Sequence, residues 1–125
     1  MSEEALWLKA FLKTELIELL SGLIILFWIS ARDSSITRPM ITRDSFIILT
    51  ATGVTHPPLW FIIPGICHRW GLGELGYVMI GESIVVAIEA LFYWQTLAPL
   101  GKMWSRSLSF SLTLNTLSYG LGFVI

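Results

Sequence analysis

Charged side chains are scarce in this chain of 125 residues. They make up 14 % of it, whereas an average soluble domain has about 25 %. The formal net charge is −1 and no two lysine or arginine residues are adjacent, which excludes the basic surface that nucleic-acid binding requires. Cysteine is nearly absent too, and the single residue, Cys67, excludes an internal disulfide framework.

Catalytic and metal-binding motifs are also missing. No H-E-x-x-H or G-x-S-x-G pattern occurs. Cys67 and His68 are adjacent rather than at the spacing of metal ligands. Residues 71–76 match the G-x-G-x-x-G pattern of dinucleotide-binding domains. They follow an apolar segment rather than a strand, so we interpret them as a turn. The sequence therefore predicts a protein that is not an enzyme.

What the chain has in excess is apolar surface. Strong hydrophobics make up 54 % of residues and the mean hydropathy is +0.72, which is more than one small core can bury. Four segments approach the roughly 20 residues that a helix needs to cross a bilayer. They lie at about 14–31, 45–66, 75–97 and 107–125. We therefore expect an all-α fold, a single domain over residues 1–125 that forms a polytopic membrane bundle of four transmembrane helices.

Aromatic and basic residues indicate how these segments are oriented. Tryptophan and tyrosine concentrate at membrane interfaces, and alternating crossings divide them into two groups. One interface is expected to hold Trp7, Trp70, Tyr77 and Tyr119, and the other Trp28, Trp94 and Trp104. The loops beside the second group carry five basic residues against three on the opposite side, so both termini are expected on the non-cytoplasmic side. Asp33 and Asp44 lie near these loop arginines and are expected to be solvated.

The second segment contains the run Thr55-His56-Pro57-Pro58. Each proline lacks an amide hydrogen and crowds the carbonyl four residues before it, and a residue before proline avoids the helical conformation. We therefore expect the helix to be broken at His56-Pro57-Pro58. Free carbonyls and an imidazole inside a bilayer need partners. His56 is accordingly either a ligand-binding residue or part of a kink that neighbouring helices satisfy.

The third segment carries two acidic residues, Glu82 and Glu89, seven positions apart and hence on one helical face. Tyr93 follows one turn later, where it is expected to hydrogen-bond to Glu89. Carboxylates deep in a bilayer are unfavourable and normally face the bundle interior. We expect both to face protein and to be protonated, paired or bound to a cation.

The fourth segment alternates polar and apolar residues, which by periodicity alone indicates a strand. A lone strand cannot satisfy its backbone in lipid, so we predict a helix. As a helix it places small and polar residues on one stripe, the pattern by which membrane helices pack closely. This stripe consists of Ser107, Ser111, Asn115, Ser118 and Gly122.

The polar residues of the four segments are expected to meet at one depth. His56, the pair Glu82 and Glu89, and Asn115 all fall near the midpoints of their segments. Glu18 and Ser118 lie on the Glu82 side of that layer, which allows a Glu18–Glu82 pair that shares a proton. Such a layer is either an ion- or ligand-binding site or a satisfied structural network that holds the helices in register. The candidate binding residues are His56, Glu82, Glu89, Asn115, Glu18, Tyr93 and Ser118.

Taken in order, these motifs resemble those of a group of small prokaryotic four-helix membrane proteins. In that group a T-[NH]-P break, an E-x6-E-A helix and an S-x3-N-x2-S-[FY] helix follow one another. The matching residues are Thr55-His56-Pro57, Glu82 with Glu89-Ala90, and the stretch from Ser109 to Gly122 that contains Asn115 and Ser118-Tyr119. The resemblance spans about residues 45–122, implies a four-helix membrane fold and carries no activity with it.

Three functions are compatible with these features. The first is a non-catalytic subunit or assembly factor of a larger membrane complex, because four short helices with small loops offer little that works alone. In one version of it His56 ligates a chlorophyll or a haem. The second is an oligomeric proton- or cation-coupled transporter that uses the midplane Glu, His and Asn side chains. The third is an intramembrane enzyme with Glu82 or Glu89 as acid or base. The expected partners are membrane lipids and either other membrane subunits or further copies of the chain.

Overall fold

A computed structural model describes residues 2–33, 36–97, 100, 103–122 and 124, and these residues form helices joined by short connections. The prediction of an all-α fold is confirmed for this part of the chain. The helices are α1 (Glu3–Ser30), α2 (Arg38–Phe61), α3 (Ile63–Arg69), α4 (Glu74–Thr96) and α5 (Trp104–Gly122). The Ser2 side chain caps α1 by accepting a hydrogen bond from the Ala5 amide at 3.2 Å.

The four long helices pack side by side and alternate in direction. Each has two main neighbours: α1 packs against α2 and α5, and α4 packs against the same two helices. At one end of the bundle the Tyr77 hydroxyl at the start of α4 donates to the Leu59 carbonyl near the end of α2, at 2.8 Å. At the same end the Lys13 ammonium of α1 donates to the Gly122 carbonyl of α5, also at 2.8 Å. We call this end, which holds the start of α1 and the end of α5, the terminal end.

The second predicted segment departs from its expected break. The helix α2 continues through Pro57 and Pro58 and ends at Phe61, and α3 begins at Ile63. The prediction of a break at His56-Pro57-Pro58 is therefore wrong by about one turn. A further proline explains the shift, because Pro64 has no amide hydrogen to donate to the carbonyl of Trp60 and its ring crowds that carbonyl. Pro64 also suits the first turn of a new helix, which is its place in α3.

Asp44 corrects a second expectation. It lies within α2, two turns after the helix begins, and is fully buried rather than solvated. The adjacent Arg43 guanidinium, which is largely exposed, donates to one carboxylate oxygen of Asp44 at 3.3 Å. The same guanidinium donates to the Thr96 carbonyl of α4, also at 3.3 Å. The loop is shorter than expected, and this is what moves Asp44 inside.

Apolar side chains cover the outside of the bundle. Two helical stretches, Arg38–Arg69 and Glu74–Thr96, are long and apolar enough to cross a membrane, and only 22 % of the apolar window of each is buried. A core helix of a soluble protein would bury most of that surface. The helices α1 and α5 fall short of the same test of length and composition, since α1 carries charges in its first half and α5 is rich in serine and threonine.

An apolar core fills the bundle between its middle and the end opposite the terminal end. We call this core the plug. Within it the Tyr93 ring of α4 meets the Phe110 ring of α5 edge to face, with centroids 5.2 Å apart. The plug consists of Leu26, Ile48, Ala51, Tyr93, Leu97, Leu100, Phe110 and Leu114.

One glycine allows α1 to approach α2 within the plug. An ideal Cβ on Gly22 would lie 2.6 Å from the Ile48 side chain and within 3.6 Å of Phe110 and Leu114. Gly22 is buried, so a larger side chain could not turn away from Ile48 into open space. The small-residue seam predicted on α5 faces the same interior, since Ser107, Ser111, Asn115 and Ser118 are all buried there.

We expect Gly22→Leu to overpack this contact and to destabilise the protein by about 1–3 kcal/mol. The measurement is the midpoint of thermal unfolding in detergent. Gly120→Leu is the matched control, because Gly120 is helical and exposed and its added Cβ would have no atom within 4 Å. Equal midpoints for the two variants would show that the α1–α2 approach does not depend on Gly22.

Candidate functional site

Seven polar side chains from all four long helices meet in the middle of the bundle, next to the plug. We call them the polar layer. Each is buried, and Glu18, Glu89 and Thr52 are fully so. Buried polar groups are stable only with hydrogen-bond partners, so these helices have to supply one another's donors and acceptors. The layer consists of Glu18 from α1, Thr52, Thr55 and His56 from α2, Glu89 from α4, and Asn115 and Ser118 from α5.

Glu18 links α1 to both of its neighbours. Its Oε2 accepts a hydrogen bond from the Thr52 hydroxyl of α2 at 2.5 Å, and its Oε1 accepts one from the Ser118 hydroxyl of α5 at 3.0 Å. Each oxygen of this carboxyl group therefore has a donor from a different helix. The residues are 34 and 100 positions away in sequence, so only the folded bundle brings them together.

Glu89 has the same arrangement on the opposite side of the bundle. Its Oε1 accepts a hydrogen bond from the Thr55 hydroxyl of α2 at 2.7 Å, and its Oε2 accepts one from the Asn115 amide of α5 at 2.8 Å. The same amide nitrogen donates to the Ser111 carbonyl at 2.9 Å, which fixes the orientation of Asn115. The two carboxyl groups thus share α2 and α5 as sources of donors.

His56 lies beside both carboxyl groups. Its Nε2 is 3.7 Å from Glu18 Oε1, too far for a hydrogen bond. Neither ring nitrogen has a hydrogen-bond partner among the described residues, although His56 is only 9 % exposed. Glu18, His56 and Glu89 each offer one ligand atom, and the three atoms lie within 4.8 Å of one another. This is the distance range of side chains that coordinate one ion.

A cavity of about 220 Å³ leads from the terminal end of the bundle to the polar layer. We call it the vestibule. His56 and Ser118 line its inner part, Glu82 stands in its wall, and the aromatic rings of Trp7 and Tyr119 line it as well. Towards the opposite end the plug covers the layer. The polar layer therefore borders the vestibule at His56 and Ser118 and lies against the plug on its other side.

The structure brings together five of the seven predicted site residues. His56, Glu89, Asn115, Glu18 and Ser118 belong to the polar layer. Glu82 does not, because it lies two turns before Glu89 and is half-buried in the vestibule wall. Among the described residues, the cluster around Glu18 contains Glu89 rather than Glu82, so the expected Glu18–Glu82 pair is replaced by a Glu18–Glu89 one.

The predicted hydrogen bond from Tyr93 to Glu89 is wrong. The Tyr93 hydroxyl is buried and has no hydrogen-bond partner in the part of the chain that the structure describes. Both oxygens of Glu89 already accept from Thr55 and Asn115. The Tyr93 ring packs against Phe110 in the plug instead, so Tyr93 bounds the layer rather than joining it.

The threonine donors were absent from the predicted set. Thr55 and His56 follow Thr52 by three and four residues, which places all three on one helical face. This spacing is the sequence signal that could have identified the two threonines. Comparisons with protein-family models, curated proteins and solved structures found no match to this chain.

We expect Thr52→Val to destabilise the protein by about 1–3 kcal/mol, because it leaves one buried oxygen of Glu18 without its donor while keeping the side-chain shape. Thermal unfolding in detergent measures the effect. Thr50→Val is the control on the same helix, since the exposed Thr50 hydroxyl donates only to the Phe46 carbonyl of its own helix at 2.8 Å. A loss no greater than that of the control would contradict the assigned role of Thr52.

Proposed function

We propose that this chain is a small integral membrane protein in which four helices cross the bilayer and the polar layer binds protons or a cation in a transport cycle. The observation that carries the proposal is the joint burial of Glu18 and Glu89 beside His56, which lines the inner part of the vestibule. Ionisable groups inside a membrane bundle normally mark an ion or proton pathway.

Charge balance supports a cation as the occupant. Among the described residues, no lysine or arginine forms an ion pair with Glu18 or Glu89. Lys13, a basic side chain at the terminal end, donates to the Gly122 carbonyl. Two ionised carboxylates without compensation would be strongly unfavourable in a buried site. Protons or a bound cation are the remaining sources of compensation, and Glu82 in the vestibule wall favours the entry of either.

The different surroundings of the layer at its two sides, a cavity towards the terminal end and the plug towards the other, support transport rather than a static network. Transporters expose a central site to one side of the membrane at a time. Here the plug closes the route beyond the layer, so a transport cycle requires the helices to move apart there. The prolines of α2 and the interruption at Ile62 are suited to that movement, because helix ends and proline kinks absorb changes in backbone angles.

The test is proton flux into liposomes that contain the purified protein and a trapped pH-sensitive dye, driven by an imposed potential. We expect flux above that of protein-free liposomes. Glu18→Gln and Glu89→Gln should each reduce it to the protein-free rate, because an amide keeps the shape of the side chain but cannot bind a proton or ion-pair with a cation. Glu74→Gln, an exposed carboxylate in the first turn of α4, is the control that should retain flux. Undiminished flux in both buried variants would refute the proposal.

A second function, as a subunit of a larger membrane complex, is favoured by a different observation. A groove of about 410 Å³ runs along the outside of the bundle between α4 and α5. It is lined by apolar side chains together with Glu82, Ser83, Asn115, Thr116 and Tyr119. A carboxyl group beside acyl chains is unfavourable, so we infer that a helix of another subunit covers this groove. A tetrapyrrole at His56 is not favoured, since the vestibule is smaller than the roughly 300–1,000 Å³ of sites for drug-sized ligands.

Mild detergent extraction from native membranes tests the subunit function. We expect larger membrane partners to co-purify with the chain and to be lost from Glu82→Leu, which removes the polar group that a partner helix would satisfy. The control is Glu74→Leu, at the exposed start of the same helix. Recovery of the wild-type chain without any partner would count against this function.

A further inference from the structure

We propose that Glu18, His56 and Glu89 bind one divalent transition-metal ion, of the class of Zn²⁺, Fe²⁺, Mn²⁺ or Co²⁺. This inference rests on the proposed cation-binding function and adds the class of ion that the layer binds. Whether the metal is carried across the membrane or stays in the layer is a separate question, because binding and flux are measured independently.

The spacing of the ligand atoms suits coordination better than hydrogen bonding. His56 Nε2 and Glu18 Oε1 are 3.7 Å apart, beyond the roughly 2.7–3.2 Å of a hydrogen bond from nitrogen to oxygen. Two ligands of a tetrahedral ion with bonds of about 2.0–2.2 Å lie about 3.4 Å apart. The third ligand atom, on Glu89, is within 4.8 Å of the other two. Small side-chain rotations therefore suffice to place all three around one ion.

Unpartnered buried atoms are a second and independent indication of a ligand. Both ring nitrogens of His56 lack a hydrogen-bond partner among the described residues, and so does Asn115 Oδ1. His56 is 9 % exposed and Asn115 is 3 % exposed. Protons on the two carboxyl groups would balance the charge yet leave the imidazole unsatisfied. A metal ion both balances the charge and gives the imidazole a partner.

The remaining residues of the polar layer suit the second coordination shell. Carboxylates that bind metals are themselves hydrogen-bonded, which fixes their orientation. Thr52 and Ser118 donate to Glu18, and Thr55 and Asn115 donate to Glu89. Each oxygen of the two carboxylates accepts one of these hydrogen bonds and retains a further lone pair for the ion.

The choice of ion follows from the chemistry of the ligands. Two carboxylates and a neutral imidazole carry a charge of −2, which one divalent ion balances. Imidazole suits zinc, copper, iron and nickel, whereas carboxylate oxygens alone suit magnesium, calcium and manganese. The mixed set therefore favours the borderline divalent ions over Na⁺, K⁺ or Ca²⁺. The vestibule gives such an ion a route to His56 from the terminal end of the bundle.

The experiment is metal loading of the full chain in detergent. The protein is stripped with a chelator, loaded separately with Zn²⁺, Mn²⁺, Co²⁺ and Ca²⁺, and freed of excess metal before the metal content is determined. We expect about one Zn²⁺ or Co²⁺ per chain, retention of neither ion beyond background in Glu18→Gln, His56→Ala and Glu89→Gln, and full retention in Glu74→Gln. Bound Co²⁺ should add a ligand-field absorption band whose intensity indicates its coordination number.

The wild-type chain alone also decides the question, so the result does not depend on whether each variant folds. Loading with Zn²⁺ should raise the thermal unfolding midpoint of the stripped wild-type protein, because an ion that binds only the folded state stabilises it. Absence of both stoichiometric metal and any such shift would overturn the proposal, as would unchanged binding in folded Glu18→Gln and Glu89→Gln.

Failure of the metal site and failure of transport remain distinguishable. Proton flux that depends on Glu18 and Glu89 without metal retention would mean that the layer binds protons, so the proposed function stands and the metal assignment falls. Metal retention without proton flux would mean that the layer binds a metal ion, so the metal assignment stands and proton transport falls.

Discussion

Two carboxyl groups cannot be buried in a helical bundle unless other helices supply their hydrogen-bond donors. This constraint fixes how the four long helices fit together. Glu18 requires Thr52 of α2 and Ser118 of α5, and Glu89 requires Thr55 of α2 and Asn115 of α5. A rotation of α2 about its axis would move both threonines away from their acceptors, so the register of the bundle depends on these four contacts. Apolar packing in the plug then closes the bundle around them.

The plug contributes mainly to the stability of the bundle, whereas the polar layer contributes mainly to the specificity of helix pairing. Apolar contacts such as the Tyr93–Phe110 pair supply packing that is tolerant of rearrangement. The hydrogen bonds of Glu18 and Glu89 are directional and leave an unpaired buried group if they are broken. His56 differs from the other members of the layer, because its ring nitrogens have no hydrogen-bond partner in the described part of the chain. That difference is why we treat the layer as a binding site and not only as a structural network.

The sequence predicted this arrangement in its outline. Helical spacing was enough to place Ser111, Asn115 and Ser118 on the buried face of α5, because close helix packing requires small residues on one stripe. The positions of His56, Glu89 and Asn115 near the middle of their segments also predicted that they lie at one depth. It could not decide which of Glu82 and Glu89 meets Glu18, since both lie on one face and the answer depends on the relative shift of two helices along their axes.

Two further differences have local causes. The helix break lies at Ile62, just before Pro64, rather than at Pro57 and Pro58. A proline inside a helix does not always end it, because neighbouring helices can satisfy the backbone groups that it frees. Asp44 is buried since α2 begins at Arg38, and helix starts are poorly defined by composition alone. Tyr93 packs against Phe110 in the plug, and residues distant in sequence, Thr55 and Asn115, supply the donors of Glu89 instead. Contacts of this kind depend on tertiary packing and are not encoded in local spacing.

The central claim is that an imidazole and a carboxyl group from different helices lie side by side in the interior of this bundle. Solid-state NMR on the protein in lipid bilayers tests it directly, with ¹⁵N-labelled histidine and ¹³C-labelled glutamate. We expect strong dipolar dephasing between His56 Nε2 and the Glu18 carboxyl carbon, because Oε1 of that carboxyl group lies 3.7 Å from Nε2. The Glu18→Gln variant identifies the signal. Dephasing no stronger than that of the exposed His68 would contradict the account.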